Sequence, residues 1–321
     1  MDLILNFLLV LFLSFSLSLI LNGIVLKYAR KYKFYDVPNK RSSHLQLTPR
    51  LGGLVFFFIF LIGTLTLSVD LKARITILVG STMLLLVGLF DDLRSISPRF
   101  KLIVQIMSIL PLTWFYSDSI EVFRTQSVFH IIHADLFLFL VSSFFLVFLN
   151  AVNLIDGING LAALISLNFF ICSTFFFYQI GSFSNAFESL MIIGSILAFL
   201  FFNFSKNRKL FMGDSGSLFL SFVICSISLE MIHATCCLGA NNQFTGNQLT
   251  LLLVALFSYP IFDLFRVIFI RVKKRTGIFQ ADRNHLHHFF IDKLKKSHVF
   301  SSISIAALHM LLILTTYFFI S

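Results

Sequence analysis

The chain has 321 residues, 57% of them hydrophobic and only 12% charged, with a formal net charge of +10. A mean hydropathy of +0.91 excludes an arrangement of two soluble domains. The positive charge is not a nucleic-acid footprint: 21 of the 25 Lys and Arg fall in 27–50, 91–101, 205–217 and 271–298, and the alternate connections hold only Lys72, Arg74 and Arg124.

Apolar stretches of about 16–24 residues recur along the whole length, the pattern of a polytopic membrane protein. They predict ten helices over roughly 3–26, 51–69, 75–90, 102–116, 136–153, 158–180, 189–204, 218–236, 250–272 and 299–320. Open sheets cannot exist in lipid, so the expected fold is all-α, one integral membrane domain over 1–321. The charge asymmetry puts the basic connections in the cytoplasm and both termini outside. The apolar N-terminus has no basic leader and no small-residue cleavage site, so it reads as the first span. Cys172, Cys225, Cys236 and Cys237 lack metal-site spacing and read as packing residues.

In chain order, the first connection runs Lys33-Phe-Tyr-Asp-Val-Pro-Asn-Lys-Arg-Ser-Ser-His44, then Thr48-Pro-Arg-Leu-Gly-Gly53. Lys27, Arg30 and Lys31 are ordinary interfacial cations. Lys40, Arg41 and Arg50 add charge, and Gly52-Gly53 permits close backbone approach where the second helix begins. The third span ends at Asp91-Asp92, followed by Arg94, Arg99 and Lys101. Adjacent carboxylates at a membrane boundary repel each other and lose hydration, so they need cations, a metal or shared protons. A plain stop signal would also end the helix there, but ionisable groups at bilayer depth are rarely idle.

The outward segment 117–135, with Glu121, Arg124, His130 and His133, reads as a short hairpin or interfacial helix with surface histidines. Between the fifth and sixth spans comes Asn150-Ala-Val-Asn-Leu-Ile-Asp-Gly-Ile-Asn-Gly160, without Lys or Arg. Asn153, Asp156 and Asn159 are spaced i, i+3, i+6, which in helical geometry stacks them on one face. Gly157 and Gly160 leave the backbone open to a ligand. A turn also favours Asn, Asp and Gly, but six such residues in eleven exceed what a turn needs.

The run Lys206-Asn-Arg-Lys-Leu-Phe-Met-Gly-Asp-Ser-Gly-Ser217 opens the eighth span. Asp214, Ser215 and Ser217 are capping residues, yet a helix N-terminus with Ser, Gly and three upstream cations also suits phosphate. Phe211 offers a ring on which a base can stack. Glu230 with His233, and Asp263 with Arg266, are i, i+3 pairs of structural character. The last basic connection carries Lys273-Lys274-Arg275 and then Asp282-Arg-Asn-His-Leu-His-His288. Arg283 beside His285, His287 and His288 reads as a phosphate-gripping strip more naturally than as a zinc site. Glu230 and His233 lie near the outer end of their helix, whereas Asp91, Asp92, Lys101, Asn153, Asp156, Asn159, Asp214, Arg283, His285, His287 and His288 all sit at cytoplasmic helix ends. Carboxylate and amide oxygens suit Mg²⁺ with substrate phosphates as co-ligands, Lys, Arg and His suit a pyrophosphate, and an aromatic with an amide suits a uracil-like base. The chemistry is phosphoryl transfer at the inner leaflet.

Asp91-Asp92, Asn150 to Gly160, Phe211-Met-Gly-Asp-Ser-Gly-Ser217 and His285-Leu-His-His288, in that order over essentially the whole chain, resemble the signatures of the polyprenyl-phosphate N-acetylhexosamine-1-phosphate transferases. That family contains the WecA-like enzymes and the phospho-MurNAc-pentapeptide translocases. The resemblance implies transfer of a sugar-1-phosphate from a UDP-sugar to undecaprenyl phosphate with release of UMP. It also implies a bacterial inner-membrane enzyme with its site facing the cytoplasm, a need for Mg²⁺ or Mn²⁺, lipid as surroundings, and a homodimer in many members. By position, Asp214 and Asn153 would hold the ion, and Asp91 and Asp92 would sit beside it, as base or as positioning groups. Lys101 and the histidine strip would hold phosphates, and Phe211 and Asn159 would meet the uracil with Asp156 alongside. Many bacterial members have Asp where this chain has Asn159; the amide still offers a donor and an acceptor.

Thr48-Pro-Arg-Leu-Gly-Gly53, Pro260-Ile-Phe-Asp263 and the His-Leu-His-His order resemble the WecA-like branch, which makes GlcNAc the leading sugar. The Pro-x-His-His-His-x-Glu run of the muramyl branch is absent. Arg41-Ser-Ser-His44 resembles members that start O-antigen on FucNAc or QuiNAc. Two other classes place carboxylates in membranes. A secondary transporter would set them at the midplane in paired halves, and an aspartyl protease pairing Asp92 with Asp214 would need no basic surround.

Overall fold

Segments apolar all round must be covered on every side, by other helices or by lipid, and their backbone groups must bond internally. The computed structural model describes residues 2–32, 34–35, 48–67, 71–237, 244–275, 277 and 284–320. Each of the ten expected spans is a helix in it. They are α1 (Asp2–Lys31), α2 (Gly52–Leu67), α3 (Leu71–Leu93), α4 (Pro98–Phe115), α6 (Ala134–Ile155), α7 (Leu161–Gln179), α8 (Phe183–Asn203), α9 (Gly213–Cys237), α10 (Gly246–Lys273) and α12 (His298–Ile320). Two short helices complete the set, α5 (Ser117–Thr125) and α11 (Leu286–His288). Among the described residues, eight helices are long and apolar enough to cross a membrane, or nine if α4 and α5, bent by 65°, count as one span. At 16 residues α2 falls short of that test. The helices also overrun the apolar windows. Asp91 and Asp92 lie inside the last turn of α3 rather than after it, because charge ends a hydropathy window without ending the hydrogen-bond ladder.

The most enclosed helix is α9, whose apolar window is 94% buried against 11% for α1. Its sequence explains this. Ser221, Ser226 and Ser228 are small and bond back to Leu218, Val223 and Ile224 carbonyls at 2.8–2.9 Å, so none of these three hydroxyls is stranded. At its N-terminus α9 is wedged between two glycines. A Cβ on Gly53 of α2 would stand 2.4 Å from Gly216 N, and one on Gly88 of α3 would stand 2.4 Å from Ser215 Cα. The periphery is inverted relative to a soluble protein: Phe12, Phe139, Phe269, Phe318 and Phe319 are 65–84% exposed. Such a continuous apolar surface belongs in lipid, and the chain is a multi-pass membrane protein.

The segment 117–135 contains α5 and a 3₁₀ turn (Val128–Ile131). Arg124 pairs with Glu121 at 2.6 and 2.9 Å and donates to the His130 and Ile132 carbonyls. Glu230 and His233 reach across from α9, Glu230 accepting from the Tyr116 hydroxyl and His233 Nδ1 standing 2.8 Å from Ser119 Oγ. They tie α9 to the α4–α5 bend.

Candidate active site

At one end of the bundle, the C-terminal ends of α3 and α6 meet the N-terminal ends of α4 and α9. The first turn of any helix presents N–H groups with no intrahelical acceptor. In α9 those of Asp214 and Ser215 donate to Asp92, at 2.9 Å to Oδ1 and 3.0 Å to Oδ2. Asp92 is thus a cap supplied by another helix, favoured by the positive end of the α9 dipole. Asp91 faces elsewhere. Its Oδ1 accepts from Ile96 N at 2.9 Å and its Oδ2 from Lys101 Nζ at 3.1 Å. Lys101 also donates to Asp214 Oδ2, so one ammonium on α4 bridges carboxylates of α3 and α9. The three side chains are 14–29% exposed, withdrawn from water yet reachable. Asn153 of α6 completes the ring, its Nδ2 donating to Ser217 Oγ at 2.9 Å.

The Asn-Asp-Gly stretch does not continue as a helix. α6 ends at Ile155 with Asp156 as its C-cap, and 156–160 forms turns. Asn153 and Asp156 therefore keep the expected helical spacing, whereas Asn159 lies beyond it, its carbonyl accepting from Ser302 Oγ of α12 at 2.7 Å. Burial pushes the Asp156 carboxyl well above the usual range, the charges of Asp214 and Asp92 add to this, and Arg50 opposes it. The glycines, expected to leave space for a ligand, are instead filled by protein. A Cβ on Gly157 would meet His287 Nε2 at 2.8 Å, and one on Gly160 the Phe204 ring at 2.4 Å.

Residues 49–53 dock along 211–212 by backbone bonds. Phe211 N donates to Pro49 O at 2.8 Å, Gly52 N to Phe211 O at 3.0 Å and Gly53 N to Met212 O at 3.2 Å. This carries Arg50, which in the sequence only adds positive charge to its connection, to the site. Phe211 is half-buried, with Lys209 Nζ 5.2 Å from its ring centroid.

The histidine strip behaves differently from a row of surface cations. His285 is buried and its Nδ1 stands 2.7 Å from Asp263 Oδ2, while Asp263 Oδ1 accepts from Leu286 N at 2.8 Å. Arg266 Nη2 stands 3.3 Å from Asp263 Oδ1, as the i, i+3 spacing predicts, and also donates to the Asn284 carbonyl. Asp263 is the anchor of the strip, which the sequence reading took for a local pair; only its position after Pro260, where the helix ladder is interrupted, hinted at more. His287 is 1% exposed, and its pKa is pushed down to about 3 by burial first and then by His288 and His285. Buried and shifted in this way, its ring is held in the neutral form near pH 7. His288 is partly exposed next to it, ring centroids 4.4 Å apart. Arg283 and the 36–47 stretch lie outside the described residues.

The donor set fits a hard divalent ion. Asp91 and Asp214 already turn oxygens toward one positive charge, Lys101, and Asn153 adds an amide on the same side of α9. Among the described residues no three His, Cys, Asp or Glu form a metal-binding group. Asp214 and Asn153 could hold Mg²⁺, which takes one or two carboxylates and fills its shell with water and substrate phosphate.

Residues 74–232 match the model of glycosyl transferase family 4. A probable undecaprenyl-phosphate N-acetylglucosaminyl 1-phosphate transferase of Bacillus subtilis is 31% identical over 275 residues, covering 84% of this chain and 73% of its own. An undecaprenyl-phosphate alpha-N-acetylglucosaminyl 1-phosphate transferase of Thermotoga maritima is 29% identical over 282 residues, 87% of this chain and 80% of its own. A phospho-N-acetylmuramoyl-pentapeptide-transferase of Aliarcobacter butzleri is 31% identical over 243 residues, 64% and 68% of the two chains.

Proposed function

From the premise that the chain belongs to glycosyl transferase family 4, as a polyprenyl-phosphate sugar-1-phosphate transferase, we propose that it moves N-acetylglucosamine-1-phosphate from UDP-N-acetylglucosamine to undecaprenyl phosphate. The reaction takes place at the cytoplasmic face of a bacterial inner membrane, releases UMP and starts a cell-envelope polysaccharide such as O-antigen. One observation carries the reading of the site: Lys101 bridges Asp91 and Asp214 while Asp92 caps the same helix end. Segments more than 100 positions apart in sequence are held together there by charge, in a membrane protein where unpaired charge is costly.

In this mechanism Lys101 attracts the donor pyrophosphate, as ammonium groups do. Phe211 and Asn159 frame the uracil, with Asp156 alongside. Asp92 is committed to two backbone N–H groups and positions Asp214. Asp91, less enclosed, is the carboxylate placed to meet the acceptor. A phosphate monoester is largely ionised near neutral pH, so the acceptor needs no strong base. Asp214 and Asn153 would hold Mg²⁺, whose charge neutralises the pyrophosphate when bound. Arg50, His288 and Arg283 supply further positive or hydrogen-bonding contacts to phosphate.

The test is UMP release by purified protein given UDP-N-acetylglucosamine and undecaprenyl phosphate. Chelation is expected to stop it, Mg²⁺ or Mn²⁺ to restore it, and Asp214→Ala to abolish it. Turnover without a divalent ion, or by Asp214→Ala at full rate, sinks the metal site. A panel of UDP-sugars decides the donor, and turnover of another N-acetylated sugar alone would overturn GlcNAc.

A further inference from the structure

The end of the bundle opposite the candidate active site holds a second polar cavity, of about 390 Å³. Along α9 it lies 16 residues from Asp214, at Glu230, or about 24 Å at 1.5 Å per residue. α2 lends Thr64, α3 Arg74, α8 Glu188 and α9 Ser226 and Glu230, and Phe60 and Ile77 form apolar wall. Its size falls within the range of small-ligand sites.

The charges in this cavity do not cancel by contact. Glu188 Oε1 accepts from Thr64 Oγ1 at 2.7 Å, and among the described residues no cation comes within ion-pair distance of its carboxylate. Arg74 lines the same cavity. Its Nη1 makes one long bond, 3.5 Å, to the Leu65 carbonyl, and its Nε is buried without a partner. Glu230 accepts from the Tyr116 hydroxyl. With Glu230 already held by Tyr116, Glu188 and Arg74 face one cavity without touching, an expensive arrangement in a membrane protein. A ligand bearing both complementary charges satisfies them together.

We infer that this cavity binds the headgroup of an aminophospholipid, its primary ammonium on Glu188 and its phosphate on Arg74. The zwitterion matches Glu188 and Arg74 in sign, two groups that among the described residues make no ion pair with each other. A primary ammonium has three N–H donors for a carboxylate, which a quaternary ammonium lacks. The commitment to a lipid rather than a soluble phosphoethanolamine rests on the apolar wall beside the charges and on the place of the cavity at the end of a membrane bundle. This site is independent of the catalytic reading and stands or falls separately.

Native mass spectrometry of the full chain, released from nanodiscs of mixed phosphatidylethanolamine, phosphatidylcholine and phosphatidylglycerol, tests it. Wild type is expected to retain phosphatidylethanolamine over phosphatidylcholine by about tenfold, a difference of about 1.4 kcal/mol. Glu188→Gln and Arg74→Gln should each remove that preference while UMP release stays intact, which also reports that the variants fold. Thr64→Val, which deletes only the hydroxyl orienting Glu188, should weaken it partway. Equal retention of the two lipids by wild type, or an undiminished preference in both Glu188→Gln and Arg74→Gln, overturns the proposal. Saturation by soluble glycerophosphoethanolamine without lipid retention overturns the lipid as the source.

Discussion

Lys101 is the residue on which the site's charges turn, because a single ammonium holds two carboxylates from different helices. Lys101→Met removes the charge bridging them and leaves both without it. We expect a loss of at least about 10²-fold in kcat/KM, the scale of a small misplacement of reacting groups, measured as UMP release. Lys101→Arg should not restore the rate, since a planar fork does not replace a compact ammonium. Asp92→Asn keeps one oxygen for the α9 N–H groups but loses the second, and should lower kcat more than it changes KM. At His287 the pH argument has a definite sign. Its folded pKa, about 3, lies below the unfolded value of about 6.5. The stability it contributes is therefore complete above about pH 6.5 and drains away as pH falls toward 3. Thermal melting in detergent between pH 7.5 and 4.5 should show this loss, and His287→Asn should flatten it.

Among the elements, α9 decides the geometry because it is gripped at its N-terminus by α2 and α3 through glycines. A methyl group at Gly53 or Gly88 would fall 2.4 Å from α9 backbone atoms that cannot swing aside. Gly53→Ala and Gly88→Ala should each cost about 1–3 kcal/mol, the usual penalty of overpacking. Each should also depress UMP release, since the displaced turn carries Asp214. A detergent melting curve separates this from Gly23→Ala on α1, where a Cβ meets nothing within 4 Å. The element reading also explains the histidine strip: Asp263 and Arg266 on α10 fasten residues 284–286, which seats His287 against the Gly157 turn of the next segment.

At the scale of the whole molecule, the charge asymmetry predicts which end of the bundle faces the cytoplasm. In a background with the four cysteines replaced by serine, Arg208→Cys should react with an impermeant maleimide in inverted vesicles and not in intact cells stripped of their outer envelope. Labelling from outside would reverse the topology and with it the proposed side of the reaction. Periodicity was enough to find ten helices, because it is a local consequence of backbone satisfaction in lipid. The polar motifs were equally legible: Asp91-Asp92, Asn153, Asp156 and Asp214 are costly residues whose presence in such an apolar chain needs a reason. Their division of labour was not. Nothing in two adjacent aspartates says that Asp92 caps a helix 122 positions away while Asp91 takes Lys101, nor that the glycines of 157–160 are filled by His287 and Phe204, nor that Asp263 holds His285. Composition and spacing act through the nearest turns of the chain, so the sequence by itself determined the helices and the membrane, and supplied the polar groups that meet at one end of the bundle. Which group meets which depends on how distant helices pack, and only the tertiary structure decided that.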